Sequence, residues 1–123
     1  MIKNLLLVGL GGALGSIARY GTALISQKYL STILPFGTLI ANILGSFLIG
    51  IFLAYELENP SLNFKLLLIA GFCGGYTTFS TFTFENLSYL QNGQFGLFLL
   101  YGIGSILIGL LAVFLGFSLI KII

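Results

Sequence analysis

Histidine is absent from this sequence, cysteine occurs once, and acidic side chains occur three times in 123 residues. The single cysteine, Cys73, excludes an internal disulfide, and without histidine or a cysteine cluster no zinc or haem site can be read from the chain. No run of basic residues indicates a nucleic-acid partner. No nucleophile and base can be paired into a catalytic site, so the sequence offers no enzyme hypothesis.

Charge of either sign is scarce as well. Charged residues make up 7% of the chain, whereas a soluble domain has about 25%. Hydrophobic residues make up 58%, and the mean hydropathy is +1.11. Because so few polar groups cannot cover a surface that faces water, we expect a multi-pass integral membrane protein. The length allows a single domain over residues 1–123.

Four long apolar runs follow one another along the chain. Each is near or above the roughly 20 residues that a helix needs to cross a bilayer, and a backbone in lipid must satisfy its own hydrogen bonds. We therefore expect an all-α fold of four transmembrane helices, with the first run a span rather than a signal peptide. The runs cover the N-terminus to about residue 25, residues 34–55, residues 66 to about 85, and residues 95–120.

The basic residues give almost no orientation signal. Four spans put both termini on one side, together with Lys3, Lys65 and Lys121, while Lys28 and Arg19 lie towards the other side. Three against two is a weak positive-inside bias. Two readings remain open: one orientation still wins, or the chain inserts both ways.

The second run carries a polar stripe. Thr38, Asn42 and Ser46 recur every four residues and therefore share one helix face. A buried amide in a membrane is costly unless it is paired, so Asn42 either staples two helices or faces a polar path. Its alignment with Thr38 and Ser46 favours the path. The seventeen glycines, many at small-xxx-small spacing, predict close helix packing.

Two ionisable residues interrupt the runs. Arg19 is the only ionised group well inside a run, which is a functional-site hypothesis by default. Snorkelling to the interface is the competing reading, and the choice stays open. Glu85 is expected to end the third helix and to anchor it at the membrane boundary.

The third run contains a candidate break. Adjacent glycines, Gly74 and Gly75, cost about 1 kcal/mol each in a helix interior, and the hydroxyl residues that follow compete for backbone hydrogen bonds. We expect the helix to unwind between Gly74 and Thr78. Such breaks expose carbonyl oxygens that bind ions, although a kink that serves only packing is the alternative.

Beyond the break, a pair of aromatic rings stands beside a hydroxyl track. Phe79 and Phe82 share a face, and Thr77, Ser80 and Thr81 form the neighbouring one. The two rings are either ordinary packing residues or part of an anion path. A ring edge is electropositive, so it attracts a small anion without the deep trap of a lysine, and conduction needs binding weak enough to permit exit.

Three segments resemble one family over essentially the full length of the chain. They are "GGALGSIARY" in the first run, "GTLIANILGSFLIG" in the second and "GFCGGYTTFSTF" in the third, of which the last is the most specific. The chain resembles the Fluc or CrcB family of fluoride channels. Tyr76 and Phe84 depart from the residues usual in that family.

The resemblance implies a mechanism and its residues. It implies an antiparallel, dual-topology dimer in the cell inner membrane that exports cytoplasmic fluoride passively through two pores lined by both subunits. The second subunit is another copy or a paralogous chain. By residue match, the pore positions are Phe79, Phe82, Asn42, Ser80, Thr81, Tyr101 and Ser105; Arg19 lies near the vestibule; and the backbone carbonyls of Gly74 and Thr77 hold a central structural sodium ion.

Two other functions compete with this interpretation. A small multidrug transporter also has four helices and dual topology, but it needs a membrane-embedded carboxylate, and Glu85 is expected at a helix end. A purely structural subunit would use glycines and hydroxyls as packing groups only. Neither accounts for the combination of a break, a hydroxyl track and a phenylalanine pair. The choice of fluoride over chloride rests on the resemblance.

Overall fold

The structure is a computed structural model that describes residues 1–122. Those residues form helices and short connections without any strand, and the four predicted spans are confirmed. The third span is divided in two, so we number five helices. They are α1 (Ile2–Tyr29), α2 (Phe36–Glu58), α3 (62–76), α4 (Phe79–Gln91) and α5 (Phe95–Ile122), with α3 built from Leu62–Phe64, a π-helical stretch Lys65–Cys73 and a last turn Gly74–Tyr76.

The predicted break is present, but it lies further along the chain. Thr77 (φ −85°, ψ 156°) and Thr78 (φ −147°, ψ 117°) have extended backbone. Gly74 and Gly75 remain helical, with φ −61° and ψ −36° at Gly74. The expected break between Gly74 and Thr78 is therefore confirmed at Thr77 and Thr78, whereas unwinding at Gly74 and Gly75 was wrongly expected. Two residues, rather than five, interrupt the third span.

Close packing explains why Gly75 is a glycine. A Cβ atom on Gly75 would collide with the backbone carbonyl oxygen of Gly12 in α1. Two further glycines of α1, Gly11 and Gly15, lie equally close to backbone atoms of α3. These glycines allow α1 and α3 to approach at backbone distance, as small residues do between helices in lipid. At Gly75, therefore, the glycine reflects close packing and not unwinding.

The first three spans end beyond the ends of their apolar runs. α1 continues to Tyr29, α2 to Glu58, and α4 passes Glu85 to end at Gln91. Backbone hydrogen bonding, rather than hydropathy, sets these ends. After α4, Gly93 takes a positive φ of 68° while the Gln94 amide donates to the Tyr89 carbonyl at 2.8 Å, which is the usual glycine-dependent end of a helix.

The helices pack in pairs. α1 lies mainly against α3, and α2 lies mainly against α5, with α4 leaning on α5 beyond the break. Few side chains are fully buried, and most large apolar ones point outward, as expected where lipid rather than water surrounds the helices. The break therefore lies between the two pairs, with α1 and α2 on either side of it.

Candidate functional site

Asn42 of α2 holds the broken backbone. The Thr78 amide donates to Asn42 Oδ1 at 2.7 Å, and Asn42 Nδ2 donates to the Thr78 carbonyl at 3.1 Å. The side chain thus replaces the hydrogen bonds that a continuous helix would give to Thr78. Asn42 is a staple between helices, as one of its two predicted readings required. Its amide nitrogen has a second proton that this pair of bonds does not use.

The hydroxyl groups at the break also bond to the backbone. Thr77 Oγ1 donates to the Cys73 carbonyl at 2.8 Å. Thr78 Oγ1 accepts from the Thr81 amide at 3.2 Å, which caps the start of α4, and it lies 3.1 Å from Thr81 Oγ1 and 3.4 Å from Ser80 Oγ. The hydroxyls of Ser80 and Thr81 therefore form one chain with the cap.

Carbonyl groups at the end of α3 lose their helical partners at the break, and those of Gly74 and Thr77 are among them. The Thr78 amide would pair with the Gly74 carbonyl in a continuous helix, but it donates to Asn42. The Thr81 amide would pair with the Thr77 carbonyl, but it donates to the Thr78 hydroxyl. Carbonyls released in this way at a helix end need another partner. Gly74 and Thr77, whose carbonyls the family resemblance singles out, both line the same groove.

The groove beside the break has a volume of about 530 Å³. Phe79 and Phe82 lie along it with ring centroids 6.1 Å apart and ring planes at 41°. The Phe79 side chain is 77% exposed, so one face of this pair is open. The polar and small residues of the groove are Asn42, Gly45, Ser46, Cys73, Gly74, Thr77 and Thr78.

Glu85 is a site residue that sequence reasoning missed. It accepts hydrogen bonds from Thr38 Oγ1 at 2.6 Å and from the Tyr101 hydroxyl at 2.6 Å. The expectation that Glu85 ends the third helix was wrong, because α4 continues through Glu85 for another six residues to Gln91. The available signal was its spacing: Glu85 follows Thr81 by four residues and so shares the face of the hydroxyl track.

Tyr101 and Ser105 of α5 complete this side of the site. The Tyr101 side chain is buried, its ring centroid lies 5.2 Å from that of Phe82, and its hydroxyl is bound to Glu85. Ser105 follows one turn later, and its buried Oγ has no hydrogen-bond partner among residues 1–122. The chain thus links Phe79, Phe82 and Tyr101 in a continuous aromatic series, with the Glu85 carboxylate at its end.

Arg19 lines a separate cavity on the α1 side of the break. This cavity, of about 280 Å³, includes Thr38, Thr78 and Thr81 in its lining, and a neighbouring one of about 370 Å³ shares Thr38 and Thr81 and reaches Glu85. Arg19 lies ten residues before the end of α1, or about 15 Å. Its buried Nε has no hydrogen-bond partner in the described chain.

The chain was compared with known proteins. Residues 6–117 match the family model described as "CrcB-like protein, Camphor Resistance (CrcB)". A protein of Thermus thermophilus is 48% identical over 119 residues, which cover 96% of this chain and 94% of the relative. Proteins of Flavobacterium psychrophilum and Campylobacter lari are each 43% identical over 122 residues, covering 98% of this chain and 98% and 100% of the relatives. All three relatives carry the name "Fluoride-specific ion channel FluC".

Proposed function

The chain belongs to the CrcB-like family, and from this membership we propose that it is a fluoride-specific ion channel rather than an enzyme. One observation carries the proposal: relatives with that name are 40–48% identical to it over nearly the whole chain. As a multi-pass membrane protein in the cell inner membrane, it releases cytoplasmic fluoride passively and so confers fluoride resistance. A drug transporter is not favoured, because the relatives are named as ion channels.

The groove residues supply the interactions that a small anion needs. Phe79 and Phe82 offer electropositive ring edges. Asn42 has an amide proton left over from its bonds to Thr78. None of these groups is a full positive charge, so an anion is bound weakly enough to leave. The hydroxyls of Ser80, Thr81, Tyr101 and Ser105 extend the polar path, and Arg19 attracts anions to its vestibule.

The Glu85 carboxylate organises one end of that path. An anion channel would be expected to avoid negative charge at this place. Two hydroxyl groups nevertheless donate to the carboxylate, each with an oxygen–oxygen distance of 2.6 Å. Such charge-assisted bonds fix the orientation of the donors. Glu85 therefore holds the Thr38 and Tyr101 hydroxyls in one arrangement, and an approaching fluoride competes with the carboxylate for their protons.

The pores form between two antiparallel copies of this chain, or between this chain and a paralogous one. Three features support such an assembly. The basic residues are almost balanced between the two sides of the membrane. Phe79 is 77% exposed beside the groove. A Cβ on Gly74 would meet no described atom within 4 Å, so packing within one chain does not explain that glycine.

A sodium ion on the axis of the dimer fits the backbone at the break. Gly74 and Thr77 have carbonyls whose helical amide partners donate elsewhere, and a hard cation prefers such oxygen ligands. Two copies would supply four carbonyls. The ion offsets the repulsion between these inward-facing dipoles and has a structural role.

Efflux from liposomes tests the function directly. Purified protein is reconstituted in vesicles loaded with potassium fluoride or potassium chloride, and release is followed with an ion-selective electrode after valinomycin is added. Fast fluoride release with chloride release at the level of empty vesicles is expected. Equal release of both anions, or release of neither by a correctly folded protein, would refute the proposed function.

A further inference from the structure

Tyr76 makes a hydrogen bond that involves none of the predicted pore residues. It is the last residue of α3 before the break, and its side chain is 6% exposed. The Tyr76 hydroxyl lies 3.0 Å from Thr22 Oγ1 in α1. Thr22 Oγ1 donates its own proton to the Ala18 carbonyl at 3.0 Å. Because a hydroxyl has one proton, Tyr76 must be the donor and Thr22 the acceptor.

Tyr76 is closely packed at its ring and at its backbone amide. The ring stacks on Phe72 with centroids 5.8 Å apart and planes at 13°. A Cβ on Gly45 of α2 would lie 3.3 Å from the ring, and a Cβ on Gly15 of α1 would lie 2.8 Å from the Tyr76 amide, so both helices approach this residue closely. The hydroxyl adds a directional bond to a residue whose position the packing already restricts.

We propose that Tyr76 is a positioning residue that fixes the break against α1 through Thr22. Asn42 of α2 binds the backbone of Thr78, the residue after Thr77. Tyr76, the residue before Thr77, is bound to Thr22 of α1. The Thr77 carbonyl lies between these two anchors. The inference rests on the proposed function, since it concerns the placing of the sodium-binding carbonyls and of the pore that follows them.

The bond also reaches the turn of α1 that contains Arg19. Thr22 accepts from Tyr76 and donates to Ala18, whose carbonyl forms the peptide bond to Arg19. A two-bond chain therefore runs from the end of α3 to the backbone beside the vestibule arginine.

Tyr76→Phe is the direct test, because it keeps the ring and removes only the donor. Fluoride efflux is measured at matched dimer content over a series of sodium concentrations, with potassium as the replacement. We expect efflux to fall at least about threefold, the factor that one ordinary hydrogen bond allows, and the half-saturating sodium concentration to rise by a similar factor. Tyr29→Phe, at an exposed tyrosine of α1, is the control and should behave as the wild type.

Thr22→Val gives a second arm that leaves the tyrosine in place. It should reproduce the Tyr76→Phe phenotype, and the double variant should be no worse than either single one, because the two residues act through one bond. If Tyr76→Phe does not assemble, Thr22→Val alone decides. Wild-type sodium dependence in the assembled variants, even with a lower melting temperature, would overturn the inference and leave the function intact. A wild-type protein that releases no fluoride would instead overturn the proposed function.

Discussion

Phe79 and Phe82 lie in different surroundings although they are one helical turn apart. Phe79 is 77% exposed, whereas Phe82 lies between Phe79 and the Tyr101 ring, with centroid distances of 6.1 and 5.2 Å. Within one chain no neighbour fixes the orientation of the Phe79 ring on its exposed side. Phe82 is fixed between two other rings and therefore has the better defined geometry of the pair.

Replacing either phenylalanine by isoleucine separates packing from electrostatics. Phe79→Ile and Phe82→Ile retain apolar bulk but remove the electropositive ring edge. If the edges bind fluoride, efflux should collapse while the dimer still assembles. Packing alone predicts a stability loss of about 1 kcal/mol and transport near the wild-type rate. Fluoride efflux at matched dimer content decides, and near wild-type rates in both variants would exclude these rings from the pore.

Asn42→Asp tests the residue that both holds the break and lines the groove. The carboxylate cannot donate to the Thr78 carbonyl, now 3.1 Å from Nδ2, and places two acceptors face to face. Its negative charge also repels an anion in the groove. We expect efflux to be blocked and the melting temperature to fall. Asn59→Asp, at an exposed residue just after α2, should change neither.

Glu85→Gln keeps the shape of the carboxylate bridge and removes its charge. An amide oxygen accepts from only one of Thr38 and Tyr101, and its NH₂ group forces the other hydroxyl to turn. The loss of one charge-assisted bond should cost about 1.5–3 kcal/mol of stability. Because the donors are no longer fixed, fluoride efflux should fall as well. Glu58→Gln at the end of α2 is the matched control. If Glu85→Gln and Glu58→Gln release fluoride at the same rate, Glu85 is not part of the path.

At the scale of helices, the sequence predicted the elements better than their interruptions. Hydropathy and length identify four spans because lipid permits little else at that composition. The break was predicted from Gly74 and Gly75 together with the hydroxyls, but only the threonines that follow leave the helix. A glycine pair weakens a helix locally, whereas Asn42 competes for the Thr78 amide from 36 residues away. That tertiary contact is not visible in local sequence. The same holds for the contacts of Glu85 with Thr38 and Tyr101.

Alanine substitutions distinguish the two glycines. Gly75→Ala would place a Cβ against the Gly12 carbonyl oxygen, and such overpacking costs about 1–3 kcal/mol. Gly74→Ala meets no described atom and improves helix propensity by about 1 kcal/mol. We expect Gly75→Ala to destabilise each chain, and Gly74→Ala to leave the chain folded but weaken dimer assembly and fluoride efflux. Melting temperature and dimer fraction in detergent measure the two effects, and a stable, dimeric, active Gly74→Ala would argue against an interface at Gly74.

At the scale of the whole molecule, one chain presents an open groove rather than a closed pore. The ring pair, the released carbonyls and the open Gly74 face all belong to that groove, and a second copy would cover it. The proposed antiparallel assembly requires that the chain insert in either orientation. The nearly balanced basic residues, three towards the side of the termini and two towards the other, are the feature that supports this proposal.

Added lysines should therefore fix the orientation of the chain and show whether the active assembly needs chains in both orientations. Asn59→Lys with Asn63→Lys adds charge beside Lys65, and Gln91→Lys with Asn92→Lys adds charge at the opposite end of the third span; all four sites are exposed. Since basic loops remain cytoplasmic, each double variant should insert in a single orientation, detected by labelling a cysteine tag at the C-terminus from one side only. Expressed alone, each should release little fluoride, because antiparallel pairs cannot form. Expressed together, they should restore efflux, and full activity of either one alone would show that the functional assembly is not antiparallel.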